Sequence, residues 1–325
     1  MNTIFDAGFS GQELTAAVNA LDLAPTLLQG AFEERGIDTT KLLVERRAES
    51  LSLVPIVPRG APPKPYTLNL RDGVPLDTSH IVARSTIYAD TVQNSRAFGE
   101  AALYTMEGYR TDVLTKMRRD VDFTAEHMRC GALSGQVLNH DGSLVLDLLA
   151  EFGVSQQTHD MQLDVSTTKT RSAMVAAIRK SESALGNDRP KSWLCVASPT
   201  FFDALADHPN TEQFLTASPA ASAELRGDMR GGFQIAGVNV VEYSFASNGT
   251  PWIANDTALL VPLGVPGLLL GRYGPADTVD AVNQIGLPLY AIPQELPHRK
   301  GLSIEVQSNP CFVVTRPRAV IKLTA

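Results

Sequence analysis

The feature that most constrains this chain is an amphipathic stretch from Arg96 to Ser134 that no proline interrupts. Apolar or near-apolar residues recur along it in steps of three and four, which is the helical period. They are Leu103, Met106, Tyr109, Val113, Met117, Val121, Thr124 and Met128. The pattern predicts one helix, called here the spine helix, of roughly 58 Å at about 1.5 Å per residue. Because a compact globule of this chain length has a radius of gyration of only about 20 Å, the helix predicts a flat, elongated subunit.

Two glycines within this stretch leave an alternative open. Gly99 and Gly108 each cost about 1 kcal/mol relative to alanine in a helix interior. Two shorter helices joined by a kink are therefore the alternative to one spine helix. Residues of opposite charge also lie at helical spacing, which supports helix formation. These pairs are Asp112–Lys116, Lys116–Asp120 and Glu126–Arg129.

Composition and charge disfavour two classes of protein. No apolar run approaches the roughly 18 to 20 residues that cross a bilayer, and the first residues lack the basic and apolar blocks of a signal peptide. The net charge is −7 and the pI is near 5.4. A protein that grips nucleic acid through its phosphates needs a basic surface. We therefore expect no membrane insertion and no sequence-specific DNA binding.

The sequence contains little that indicates catalysis. It has no P-loop, no Gly-rich dinucleotide fingerprint, no nucleophile elbow and no HExxH pair. Cys130, Cys195 and Cys311 are far apart, form no zinc-binding set, and are interpreted as buried small apolar residues of a protein in a reducing compartment. The sequence therefore predicts no catalytic residue, no cofactor and no metal, and the chain is expected not to be an enzyme.

A proline-rich stretch from 53 to 90 predicts a long β-hairpin. Apolar and polar residues alternate from 66 to 71, Asp72-Gly73 is a turn signal, and His80–Tyr88 is the returning strand. An isolated two-stranded hairpin is marginal in water, so this one needs another surface, either its own domain or a neighbouring copy. An irregular loop folded on its own body is the alternative. The residues expected to make the contact are Tyr66, Leu68, Leu70, Arg71, Asp72 and Gly73.

The rest of the chain predicts a small hairpin, an α/β unit and closing strands. The hairpin spans 136–149, and the closing strands lie at 302–307, 311–315 and 320–323. The α/β unit, 166–299, contains the predicted helix Lys169–Leu185, the strands Trp193–Ala197 and Phe233–Tyr243, and a helix that starts at Pro199 behind the cap Ser198.

The order of these parts resembles that of a tailed-phage major capsid protein of the HK97 fold, and more closely the lambda-like major head protein family. The resemblance covers nearly the whole chain. It rests on Leu27–Phe32 followed by Thr39–Lys41, the spine helix running into Leu133–Gln136, the hairpin that closes on Gly142, and the tail Ile304–Ala325.

The resemblance implies an α+β, HK97-like capsid fold with four parts. Residues 1–52 would be the N-terminal arm, and residues 53–92 the extended β-hairpin called the E-loop, which would lie over an adjacent subunit. Residues 93–165 and 300–325 would form the peripheral domain with the spine helix, whose site residues are Met106, Tyr109, Val113, Met117 and Val121. Residues 166–299 would be the inserted axial α/β domain.

The function that the resemblance implies is that of a major capsid protein, not of an enzyme. It would self-assemble through hexamers and pentamers into an icosahedral shell around phage double-stranded DNA, in the bacterial cytoplasm, and remain in the virion. A scaffolding protein, a decoration protein and a portal are the expected partners, and Lys64 is assigned no cross-linking role. Deleting residues 60–85 is expected to leave a soluble monomer that forms no shell. The alternatives are an encapsulin-like compartment and a soluble α/β enzyme with its site within 166–299.

Overall fold

The computed structural model describes residues 11–21, 26–46, 72–93, 105–217, 231–247 and 249–325. Its helices are α1 (Gly11–Ala20), α2 (Ala89–Val92), α3 (Met106–Ser134), α4 (Leu148–Phe152), α5 (Thr170–Leu185), α6 (Pro199–Ala206) and α7 (Pro209–Ala217). Its strands are β1 (Glu33–Gly36), β2 (Lys41–Arg46), β3 (Asp72–Asp77), β4 (Ile81–Tyr88), β5 (Gln136–Leu138), β6 (Leu144–Asp147), β7 (Gln157–Asp160), β8 (Ser192–Ala197), β9 (Phe233–Ile235), β10 (Val238–Glu242), β11 (Ala246–Ser247), β12 (Thr250–Pro251), β13 (Thr257–Leu263), β14 (Leu269–Tyr273), β15 (Tyr290–Glu295), β16 (Gly301–Ser308), β17 (Pro310–Val314) and β18 (Ile321–Thr324).

The chain forms two compact units. The described residues of the first unit fall within 1–42, 75–129 and 270–312, and those of the second within 43–74, 130–269 and 313–325. The predicted peripheral and axial domains have other boundaries, and these boundaries stay a prediction.

The spine helix is α3, with 29 residues and a length of about 43 Å at 1.5 Å per residue. The predicted part from 96 to 104 lies outside the described residues. The helix runs through Gly108 without a kink, so the alternative prediction of a break at this glycine is wrong. Gly108 lies in the first turn, where the Thr105 hydroxyl accepts a hydrogen bond from its N–H at 3.0 Å and so caps the helix.

The first unit is built around the antiparallel sheet β15-β16-β4. Leu302, Ile304 and Val306 alternate along the central strand β16 and lie on one face of the sheet. That face joins the apolar side of the spine helix, including Met117 and Val121, in one buried cluster. Leu14 and Val18 of α1 belong to the same cluster. The period of two in the strand and the period of 3.6 in the helix therefore meet in a shared core.

Two parts of the predicted hairpin at 53–92 need correction. Asp72 and Gly73 begin the strand β3, so the prediction of a turn there is wrong. β4 pairs with β16 along its whole length and is not the return of a free hairpin. The reason is its apolar face, since Ile87 is buried in the core of the first unit and Ile81 packs against it.

Strand β3 pairs instead with β2. The Thr78 N–H donates to the Thr40 carbonyl at 3.0 Å, and Lys41 Nζ lies 3.4 Å from an Asp77 carboxylate oxygen, so β2 begins where β3 ends. Residues 47–71 therefore connect two paired strands. The predicted contact residues Tyr66, Leu68, Leu70 and Arg71 lie outside the described residues.

The second unit contains a mixed six-stranded sheet in the order β7-β18-β13-β8-β10-β9. Cys195 of β8 and Leu260 of β13 are fully buried in it, and Phe201 of α6 packs on the same core. The predicted start of α6 is confirmed, because Pro199 is its first residue and the Ser198 hydroxyl accepts a hydrogen bond from the Phe201 N–H.

One predicted strand of this unit is two strands. The sequence predicts one continuous strand over Phe233–Tyr243. In the structure β9 and β10 are separate strands that pair antiparallel, and Ala236 and Gly237 form the turn between them. Both residues have positive φ, 53° and 80°, which is the geometry of the tight turns that reverse a chain between paired strands. The prediction of one strand is therefore wrong at these two residues.

The predicted closing strands are confirmed as β16, β17 and β18. The last of them, β18, pairs with β13 on one side and β7 on the other, within the second unit. Another sheet has three strands in the order β1-β14-β17, and β1 runs parallel to β14.

Candidate assembly surfaces

The predicted residues of the spine helix divide into core and surface. Met117 and Val121 are buried in the core of the first unit, and Tyr109 and Val113 pack at its edge. Met106 is exposed, because it is the first residue of the helix and lies beyond that cluster. The helical period also places Leu114 in the core, three residues before Met117. The apolar stripe of the helix thus serves mainly to hold the subunit together.

A buried carboxylate joins the spine helix to the chain segment before β1. Glu126 has an exposed fraction of 0%. One of its oxygens accepts a hydrogen bond from the Leu28 N–H at 2.9 Å, and the other accepts from the Thr26 hydroxyl at 2.7 Å. A buried carboxylate is tolerated only where such donors replace water. Glu126 therefore fixes residues 26–28 onto the helix.

Arg129, one turn further along the helix, completes this network. Its guanidinium lies 2.6 Å from a Glu34 oxygen and 3.3 Å from a Glu126 oxygen, and it stacks 4.6 Å from the centre of the Phe312 ring. Burial is the largest single influence and would lower the pKa of Arg129, but Glu34, Tyr273 and Glu126 together outweigh it and raise the pKa above its ordinary value. Arg129 is therefore charged and holds two carboxylates in the interior of the first unit.

Tyr273 contributes a neutral hydroxyl to the same network. Burial, reinforced by the nearby Glu34 carboxylate, raises the pKa of the Tyr273 phenol. The hydroxyl therefore stays protonated and donates to Glu34 at 3.1 Å. Of this network, the helical spacing predicted the Glu126–Arg129 pair, whereas Glu34 and Tyr273 are too distant in sequence for any local pattern to indicate.

A loop between β14 and β15 carries the most exposed apolar side chains of the first unit. We call residues 277–287 the apolar loop. Val279 is 90% exposed and Ile285 is 70% exposed. Val282 and Leu287 are exposed as well. Apolar residues that cluster on a surface, rather than occur singly, are typical of an interaction site.

Further exposed apolar residues lie on the β5–β6 hairpin and on the strand β4. In the second unit, Leu138, Leu144 and Val145 of the β5–β6 hairpin are exposed. In the first unit, Val82 and Tyr88 face away from the core on β4. Sequence patterns alone missed these positions as surface sites, because an alternating strand does not reveal which face another molecule will cover.

The described residues show no arrangement typical of catalysis or metal binding. Within these ranges no group of three His, Cys, Asp or Glu side chains is placed to hold a metal ion. The three cysteines are buried, and burial raises the pKa of Cys195 and of Cys311 to about 12. Neither thiol is therefore an activated nucleophile. No helix in the described part of the chain is long and apolar enough to span a bilayer.

Comparisons with known proteins extend over nearly the whole chain. Residues 10–325 match the family described as phage major capsid protein E. The major capsid protein of Salmonella phage Felix O1 is 25% identical over 278 residues, which cover 74% of each chain.

Solved structures show the same fold. A putative prophage capsid protein of E. coli CFT073 is 13% identical, with a TM-score of 0.58 over 97% of this chain and 99% of that one. A phage-related protein of Bordetella bronchiseptica RB50 is 9% identical, with a TM-score of 0.57 over 98% of each chain. The mature capsid of bacteriophage PhiM1 gives a TM-score of 0.53 at 11% identity, over 94% of this chain and 88% of that one. The predicted α+β, HK97-like capsid fold is thereby confirmed.

Proposed function

The chain belongs to the phage major capsid protein E family and is a phage major capsid protein, and from this we propose that it self-assembles through hexamers and pentamers into an icosahedral shell around double-stranded DNA. The family match favours this function over the encapsulin-like compartment and over the soluble α/β enzyme. In this proposal the protein acts by assembly and catalyses no reaction.

The observation that carries the proposal is a set of exposed apolar side chains on each of the two units. The apolar loop, the β5–β6 hairpin and the outer side of β4 all present such side chains. A shell subunit contacts several neighbours and needs several such surfaces, each contributing to interfaces of about 1,600 Å². Within the first unit, the buried Glu126–Arg129 network holds residues 26–28 in place, because satisfied internal hydrogen bonds restrict a segment to one position.

The segment between β2 and β3 is proposed to be the E-loop that lies over an adjacent subunit. Its proposed contact residues are Tyr66, Leu68, Leu70 and Arg71. The pairing of β2 with β3 supports this role, since it gives residues 47–71 a fixed two-stranded base in the subunit that carries them. Asp72 and Gly73 belong to that base and are proposed to position the loop.

The interior of the shell is proposed to hold DNA without binding its sequence. A net charge of −7 supports this, because nucleic-acid affinity comes largely from Lys and Arg at phosphates. An acidic container does not adhere to the genome that it encloses. A scaffolding protein, a decoration protein and a portal are the proposed partners, with assembly in the bacterial cytoplasm and a final location in the virion.

The test of the proposal replaces residues 48–70 with a short Gly-Ser linker and follows assembly by negative-stain electron microscopy. The unaltered protein is expected to form closed shells or rings of five and six, and the linker variant to remain a folded monomer. Thermal unfolding of both proteins provides the control for folding. Shells from the linker variant would contradict the role of the E-loop, and uniform monomers of the unaltered protein, even with neighbouring phage genes expressed, would contradict the proposed assembly.

This design replaces the deletion of residues 60–85. Leu76 is buried, and Ile81–Ser85 are five of the eight residues of β4 and pair with β16. Removing them would take away core as well as loop, so the loss of shells would not report on the loop alone.

A further inference from the structure

The apolar loop presents side chains that no described residue of the same copy covers. Val279 is 90% exposed, Ile285 70% and Val282 61%. The loop is nevertheless held in place near its end, where the Gly286 N–H donates to the Ile37 carbonyl at 2.8 Å. A segment that is already ordered loses little conformational entropy on binding. The loop is therefore a surface that can receive a partner without rearrangement.

The charges on and beside this loop are acidic. From 274 to 298 the chain contains no Lys or Arg, and Asp277 and Asp280 are exposed within the loop. Asp38, which directly follows the residue that holds Gly286, is exposed as well. His80 Nε2 lies 3.9 Å from an Asp277 oxygen, whereas Asp280 forms no ion pair with any described residue.

The nearby cations of β1, β2 and β14 do not neutralise this surface. Arg35 and Arg272 lie 2.9 and 4.0 Å from the same Glu33 oxygen, and Lys41 lies 3.4 Å from an Asp77 oxygen. These pairs leave one positive charge over, on the Arg272 side, and the Arg272 side chain is only 14% exposed. Three exposed aspartates therefore outweigh it, and a complementary partner must combine apolar side chains with cations.

The chain itself contains a segment of that composition. Residues 50–71, between β2 and β3, include the cations Arg59, Lys64 and Arg71 and no acidic residue, although the net charge of the whole chain is −7. Eight of these residues are Leu, Ile, Val or Tyr, and five are proline. Because proline lacks the N–H that extends a sheet, we expect this segment to bind through its side chains.

The attachment points of this segment favour a second copy as its source. Gly274, three residues before the apolar loop, packs against Thr78, whose N–H donates to the Thr40 carbonyl where β2 begins and β3 ends. Residues 47–71 are attached at the other ends of these strands, roughly 17 Å further along. A segment of this length with both ends at one place can reach at most about 40 Å, which is far enough to contact an adjacent copy.

We propose that residues 50–71 of one copy dock on the apolar loop of a second copy. Their apolar side chains then cover Val279 and Ile285, and their cations face Asp280. This inference rests on the proposed function, which supplies the second copy, and it names the surface that receives the E-loop. Because the two surfaces differ, each copy both gives and receives the contact, and such head-to-tail contacts close into rings when the rotation permits.

The test uses a fluorescent peptide of residues 50–71 as the probe. Fluorescence anisotropy measures the Kd of this peptide for the full-length protein, below the protein concentration at which assembly starts. Asp280→Lys and Val279→Ser in the protein are each expected to raise this Kd at least about fivefold, because the first opposes like charges and the second removes apolar contact. Asp203→Lys, at an exposed position of α6, is the matched control and is expected to leave the Kd unchanged.

Altered peptides test the charges from the other side of the contact. A peptide with Arg59→Glu and Lys64→Glu is expected to lose binding to the unaltered protein and to bind the Asp280→Lys protein more tightly, because opposite charges meet again. A scrambled peptide of the same composition is expected to bind at least about tenfold more weakly than the natural one, since order as well as charge determines shape complementarity. Circular dichroism and thermal unfolding establish that each protein variant is folded.

The outcomes separate this contact from the proposed function. Shells formed by the unaltered protein, together with no peptide binding or with equal binding of the scrambled peptide, would overturn the contact and leave the proposed function. Equal Kd values for the Asp280→Lys, Val279→Ser and Asp203→Lys proteins would also overturn it, because the peptide would then bind elsewhere. Peptide binding that depends on Asp280, in a protein that forms neither shells nor rings, would support the contact and overturn the proposed function.

Discussion

At the scale of single residues, Arg129 is the side chain on which the first unit depends most. It is almost fully buried between the carboxylates of Glu34 and Glu126. Such a network adds little net stability compared with an apolar core, yet removing one member leaves uncompensated charge in the interior. Its value therefore lies in fixing the segment 26–36 in place.

We expect Arg129→Ala to lower the free energy of unfolding by about 3 to 5 kcal/mol. Urea denaturation of the unassembled subunit measures the change. Arg299→Ala is the control, since Arg299 and Glu295 are both more than half exposed, and removing such a pair costs only about 0 to 1 kcal/mol. Adding Glu126→Gln to Arg129→Ala removes one orphaned carboxylate and is expected to recover part of the loss. Equal effects of the two arginine substitutions would contradict the structural role of Arg129.

A second residue-scale prediction concerns pH. Burial lowers the pKa of His159, although its hydrogen bond to the Ala173 carbonyl opposes the shift. The folded state therefore favours the neutral imidazole. Its contribution to stability is present above the unfolded pKa of about 6.5 and is lost as the pH falls through that value toward the lower folded pKa.

We expect His159→Gln to reduce the loss of stability between pH 7.5 and pH 5.5, because the amide can keep the hydrogen bond but does not titrate. Urea midpoints at the two pH values measure the effect. His140→Gln, at an exposed turn, is expected to show the full loss seen in the unaltered protein. A His159→Gln variant that loses as much stability as the unaltered protein would refute the assignment.

At the scale of elements, the turn between β9 and β10 gives the sharpest test. Gly237 has a φ of 80°, and an added Cβ there would meet no neighbouring atom. The cost of Gly237→Ala is thus purely one of backbone conformation, about 1 to 2 kcal/mol. Gly231 has the same open space around it but no positive φ, so Gly231→Ala is expected to change the free energy of unfolding little. Thermal unfolding of both variants measures the difference, and equal midpoints would show that the turn does not constrain this sheet.

This turn also shows where sequence patterns stop being informative. Ala236 is not a typical turn residue, so a continuous apolar alternation concealed the reversal at Ala236-Gly237. Conversely, Asp72-Gly73 is a strong turn signal, yet pairing with β2 holds it in a strand. By contrast, the helical period of α3 and the cap at Ser198 depend on residues close in sequence, and both were predicted.

Contacts between residues distant in the chain could not be predicted from local sequence patterns, for a physical reason. Glu34 meets Arg129, and Tyr273 meets Glu34, only because strands distant in the chain pair with one another. Nothing within a short window specifies those partners. The same holds for the apolar loop, where Val279 and Ile285 resemble core residues by composition and only the fold places them on the surface.

At the scale of the whole molecule, the order of parts carried the identification. No single motif of the chain is specific. The arm, the spine helix, the α/β unit and the closing strands nevertheless follow one another in the order expected of an HK97-like capsid protein. The domain boundaries and the E-loop contacts remain predictions. The linker experiment above is the test at this scale.

The position of two late strands determines when a newly made chain becomes able to fold. β16 is the middle strand between β15 and β4, and β18 lies between β7 and β13. β4 therefore has no partner strand until Gly301–Ser308 has been synthesised, and such distant pairing is slow. A prematurely terminated chain lacks an interior strand in each sheet. Both sheets can therefore be completed only after Ile321–Thr324 has been synthesised.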